Sequence, residues 1–161
     1  MKKSVAIFAY LLICVCLSGC FGRQIPVTAY SMNNPWECDG NSITVTAATT
    51  ADSYLSSDGK EYVPEDGGIL VVVRCCVSMA DSWSISQKTC LQNAARNIPM
   101  LCDPISENHK NGEEAMVLLF SIPEAEYTGD VQQYYLDMQI SCGSSIRTQL
   151  FHFINFKDHE S

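Results

Sequence analysis

Ile69-Leu70-Val71-Val72-Val73-Arg74-Cys75-Cys76-Val77-Ser78-Met79-Ala80 is the longest apolar run outside the N-terminal segment, and its reading decides the fold. The β-branched residues predict an extended strand. Counted by twos, Ile69, Val71, Val73, Cys75, Val77 and Met79 share one face, while Leu70, Val72, Arg74, Cys76, Ser78 and Ala80 share the other. The first is the core face. The second turns polar at Arg74, which predicts a strand that is central at its start and buried on one side thereafter.

Further strand signals lie on either side. Residues 42–49 (SITVTAAT) follow a Gly40-Asn41 turn and set Ile43, Val45 and Ala47 against a row of threonines. A loop with Asp58-Gly59 and then Glu65-Asp66-Gly67-Gly68 lead into the long strand. Residues 83–91 (WSISQKTCL) and 98–102 (IPMLC) are weaker strands, the second at an edge because Pro99 cannot donate to a ladder; residues 92–97 (QNAARN) between them predict one helical turn. Residues 107–114 (ENHKNGEE) read as a polar loop turning at Asn111-Gly112. Residues 115–122 (AMVLLFSI) alternate Met116, Leu118, Phe120 and Ile122 against Val117 and Leu119, and Pro123 stops them. Residues 134–140 (YYLDMQI) put Tyr134, Leu136, Met138 and Ile140 together, and Gly143-Ser144 turns the chain into a hairpin with residues 146–155. About seven strands, spaced about ten residues apart with no amphipathic helix, give an all-β protein of two packed antiparallel sheets, since each one-sided strand needs a second apolar face to cover it. The competing architecture is a small closed barrel.

The chain has 161 residues, and 47% of them are hydrophobic, enough for one globular domain. Lys2 and Lys3 precede an apolar stretch at 5–17, too short for a comfortable bilayer span, which together read as a secretory signal. It ends at Leu17-Ser18-Gly19-Cys20, which resembles the lipobox of bacterial lipoproteins. That resemblance implies cleavage after Gly19 and a lipid on the Cys20 thiol, holding the protein at the outer face of a membrane. The expected organisation is a signal peptide at 1–19, a lipidated N-terminus and tether at 20–40 with a short edge strand near 27–30, a β-domain at 41–156 and a tail at 157–161. Without residues 1–19 the chain keeps eight basic and 18 acidic side chains, a net charge of -10. Nucleic acid is excluded as a partner, because phosphate binding needs a basic face.

Gly68-Ile69-Leu70-Val71-Val72-Val73, then Asn111-Gly112-Glu113-Glu114, then Phe120-Ser121-Ile122-Pro123 with Tyr127 after it resemble the immunoprotective-extracellular-protein-like, telokin-like immunoglobulin domains attached to many bacterial lipoproteins. The resemblance spans about residues 41–154 and implies an immunoglobulin-like antiparallel β-sandwich without shared catalytic residues.

Six cysteines follow Cys20 and precede the tail: Cys38, Cys75, Cys76, Cys90, Cys102 and Cys142. An exported compartment permits disulfides. Adjacent Cys75 and Cys76 must point to opposite faces and should not pair with each other. Cys90 with Cys102, and Cys38 with Cys76 or Cys142, are the expected pairs, leaving Cys75 as a core thiol. No zinc spacing is present, and the acids Asp58, Glu61, Glu65 and Asp66 lack the spacing of a calcium loop, so neither metal nor cofactor is expected. His109 and His159 sit in polar segments, and His152 shares the parity of Ile146 and Leu150. There is no nucleophile elbow and no phosphate loop. Trp36, Tyr54, Tyr62, Trp83, Tyr127, Tyr134 and Tyr135 are candidates for a recognition surface, with Trp36 and Trp83 as end plugs of the core in the plainer reading. The expected function is non-enzymatic: a membrane-anchored module that binds or scaffolds a protein partner in the cell envelope. The alternatives are an inhibitor of a secreted or envelope hydrolase acting through the loop at 51–67, and a lipoprotein that captures a metal or small solute.

Overall fold

The computed structural model describes residues 29–93, 96–108, 114–127, 129 and 134–152. The signal segment, Cys20 and the start of the tether lie outside the described residues, as do His109, the Asn111-Gly112 turn, Phe153, His159 and the 157–161 tail. The described chain is all-β. In order its strands are β1 (Ala29–Ser31), β2 (Trp36–Cys38), β3 (Asn41–Ala51), β4 (Tyr54–Leu55), β5 (Glu61–Tyr62), β6 (Ile69–Ser78), β7 (Trp83–Ile85), β8 (Cys90–Gln92), β9 (Asn97–Pro99), β10 (Ile105–Asn108), β11 (Glu114–Ile122), β12 (Tyr135–Cys142) and β13 (Ser145–His152).

They form three sheets. The first runs β1-β13-β12-β8-β9, with β7 also on β12; the second runs β10-β11-β6-β3-β2; β4 and β5 pair alone as a ribbon. Every pairing is antiparallel except that of β1 with β13. Alternation explains what is buried. Val71, Val73, Cys75 and Val77 of β6 and Leu118, Phe120 and Ile122 of β11 join Leu136, Met138, Ile140 and Phe151 of the first sheet in one buried cluster. Each such side chain contributes about 1.5–3 kcal/mol by leaving water. The opposite faces of β6 and β11 bury Leu70, Val72, Val117 and Leu119 beneath Tyr54 of the ribbon. The ribbon is thus why β6 stays apolar on both sides until Arg74, which is exposed.

Several expectations are corrected. Ala47 does not face the core, because a bulge between Val45 and Ala47 shifts the register and gives Ala48 that place; the Thr46 hydroxyl donates to the Arg74 carbonyl at 3.2 Å there. The 83–91 segment is two strands, parted by a turn in which the Thr89 N–H donates to the Ser86 carbonyl at 3.0 Å. In place of a helical turn at 92–97, β8 and β9 form a hairpin with Gln92 opposite Asn97, its ends held by the Asn93 N–H to the Arg96 carbonyl. The polar 107–114 segment contributes to β10 and β11, since ladder bonds come from backbone and need no apolar alternation. Pro99 does lie on an edge strand, and the edge strand expected near 27–30 is β1.

Candidate interaction surfaces at the ribbon and the rim

The ribbon is locally built. Ser56, buried, sets its single hydroxyl donor between the Asp58 carboxylate and the Lys60 carbonyl, the latter 2.8 Å away, while Gly59 takes φ 85° to close the turn. The Ser56 hydrogen bond holds the Asp58 carboxyl below the usual carboxylate range. Tyr54 and Tyr62, opposite each other, face inward with ring centroids 6.4 Å apart, and the Tyr54 hydroxyl donates to the Glu107 carboxylate of β10. Burial and that carboxylate push the Tyr54 phenol up. Alternation therefore turns Leu55, Glu61 and Val63 outward. Leu55 is 66% and Val63 58% exposed, two apolar side chains where polar ones would be expected.

Beside the ribbon's exit lies a cleft of about 360 Å³, lined by Glu65, Asp66, Arg96, Ile98, Met100 and Ser121 among others. The Ser121 hydroxyl accepts from the Glu65 N–H at 2.8 Å, which fixes the acidic wall. Arg96 pairs with Glu126 at 2.6 Å, both half exposed. The ion pair is solvated and contributes little to stability.

At the rim where the core ends, Trp36 of β2 and Trp83 of β7 meet with centroids 6.3 Å apart and plug the gap between the sheets. Arg147 lies over the Trp83 ring at 5.4 Å, pairs with Asp39 at 3.0 Å and donates to the Cys38 sulfur. Withdrawal from solvent and the Asp39 hydrogen bond push the Cys38 thiol up against the pull of that guanidinium, and neighbouring Cys142 acts in the same direction.

All six described cysteines are unbonded. Cys90 cannot reach Cys102: it stands opposite Asp137 on the outward side of the first sheet, whereas Cys102 packs in the cluster outside the second. Cys38 shares the inward side of β2 with Trp36, while Cys76 shares the outward parity of Leu70 and Val72 on β6, so the second sheet separates them. Cys75 is a core thiol whose pKa burial pushes up to about 12. The aromatics do not make one surface: Trp36, Tyr54 and Tyr134 are buried, Trp83, Tyr62 and Tyr127 are half-buried, and Tyr135 is exposed. Among the described residues no group of three or more His, Cys, Asp or Glu is placed to hold a metal ion. The outward pair on the ribbon has no signal in the sequence, because two-residue strands carry too little periodicity to assign faces. Compared with known protein families, with characterised proteins and with solved structures, the chain matches none.

Proposed function

We propose that this protein is a lipid-anchored, extracytoplasmic binding module: an immunoglobulin-like sandwich, tethered through Cys20 to a membrane, that presents its ribbon to a protein partner in the cell envelope. The strand order supports the fold. Strands β3, β6, β11 and β10 follow the A, B, E, D order of one immunoglobulin sheet, and β8, β12 and β13 follow C, F, G of the other, with β9 beside β8. Among the described strands the chain crosses between the sheets after β1, β6, β9 and β11, the last three as that topology requires. The address rests on the Leu17-Ser18-Gly19-Cys20 motif after its apolar stretch. Two or more acyl chains would keep the domain at the bilayer, and its acidic surface would hold the body of the domain off anionic headgroups.

The observation that carries binding is the outward pair Leu55 and Val63, exposed on a ribbon whose inner side is pinned by Tyr54. A rigid platform with apolar contacts needs little ordering when a partner docks. The test places a photoreactive group at position 55 in intact cells, with exposed position 148 on β13 as control. The expected result is a discrete cross-linked protein from position 55, lost in a Val63→Glu background; equal patterns from both positions would overturn the reading. A hydrolase as that partner, with its activity reduced by the purified chain, would favour the inhibitor reading. Cys20→Ala is expected to abolish acylation and release the protein from membranes; unchanged mass and retention would remove the anchor.

A further inference from the structure

We infer that Cys38 and Cys142 close an inter-sheet disulfide in oxidising surroundings, a covalent clip across the rim that Arg147 spans while the thiols are reduced. The two cysteines come from different sheets and face the same gap. Cys38 stands two residues beyond buried Trp36 on the inward side of β2. Cys142 stands two beyond buried Ile140 on the inward side of β12, directly opposite Trp83 in register. Trp36 and Trp83 touch across the gap, which brings the strands that carry the cysteines together there. Arg147, opposite Ile140 and so on the same inward side, reaches across from β13 to the Cys38 sulfur and the Asp39 carboxylate. Both cysteines flank exposed two-residue turns, Asp39-Gly40 and Gly143-Ser144. The thiols are unbonded here, so closure requires these turns to approach and Arg147 to swing into solvent. Asp39, Gly40, Gly143 and Ser144 are all exposed. Of the pairs expected from the sequence, Cys90 with Cys102 and Cys38 with Cys76 are each separated by an intervening sheet, whereas Cys38 and Cys142 face the same gap.

The chemistry is thiol–disulfide exchange. The bond between Cys38 Sγ and Cys142 Sγ forms as the S–S bond of a disulfide oxidant breaks; the oxidant takes both electrons and both protons and leaves as two thiols. Oxidised glutathione is the probe, and an exported disulfide-exchange protein is the class of oxidant that would act in the cell. The clip depends on the export reading only for its oxidant, and acylation at Cys20 tests export separately. The full chain is treated with oxidised or reduced glutathione, then alkylated, digested and melted. Oxidation is expected to remove about 2 Da, to yield a fragment joining Cys38 to Cys142, and to raise Tm by about 10 °C, because the clip closes a loop of about 100 residues. Cys38→Ser and Cys142→Ser should each abolish the fragment and the rise, and Cys76→Ser should leave both. Full alkylation of Cys38 and Cys142 after oxidation, a fragment joining another pair, or a linked chain with unchanged Tm would overturn the inference.

Discussion

Asp137 carries an uncompensated cost at the scale of a single residue. It lies on β12 between Cys90 and Leu150 of the flanking strands, and its Oδ1 is buried without a hydrogen-bond partner. Desolvation raises its pKa above the ordinary carboxylate value. The folded chain therefore holds the proton more tightly than the unfolded chain, and stability attributable to this group is full below the unfolded pKa and lost as pH rises through the folded one. At neutral pH the charged carboxylate is a penalty. Asp137→Asn keeps the shape and removes the charge, so it is expected to raise stability by about 1 kcal/mol at pH about 7. The gain should vanish near pH 3, where both side chains are neutral. Urea denaturation of both chains at the two pH values checks this, and an equal gain at both would show that the charge is not the cause.

At the scale of elements, the entry to β6 depends on Gly68. A Cβ there would stand 2.5 Å from the Ile122 carbonyl oxygen and 3.0 Å from that of Glu65, while the φ of -71° is one any residue adopts. The constraint is therefore contact with backbone, which cannot rotate away. Gly68→Ala is expected to cost about 1–3 kcal/mol by pushing apart the Ile69↔Ile122 end of the β6–β11 ladder. Hydrogen exchange should quicken at 69–71 and 120–122 and hold at the Val77 end; uniform quickening would mean general destabilisation instead. This pairing also marks how far the sequence could be read. Strands β6, β11 and β12 are plain in the alternation, including the loss of apolar character at Arg74. The Thr46 bulge is not, because Ala47 and Ala48 are equally small and apolar, and what separates them is a register shift set by pairing with the distant β6. Strand β10 is hidden because its stretch is mostly polar and carries no apolar alternation to mark its ladder with β11. The rim was half legible: the cysteines stood out in the sequence, but their partners depend on which sheet and side each strand takes, and that is set by long-range pairing.

At the scale of the whole molecule, the two sheets share the larger core, and only the second sheet buries a further, smaller cluster, beneath the ribbon. Phe120 of β11 and Phe151 of β13 are both fully buried in that cluster, one from each sheet. Truncating either leaves a cavity that both sheets line. Phe120→Ala and Phe151→Ala are each expected to cost about 3–5 kcal/mol. That is a large share of the stability of about 5–15 kcal/mol typical of such domains. The loss should fall on one transition whichever sheet carries the change. Trp36 and Trp83 provide the readout, since they come from different sheets and touch at the rim, so their fluorescence reports the sheets parting. Far-UV circular dichroism reports the strands themselves. If the sheets stabilise each other, the two signals share a midpoint in the parent chain under reducing conditions and move together in both variants. Were either sheet stable alone, fluorescence would change first and leave strand signal behind, and the two variants would split the transition in opposite orders.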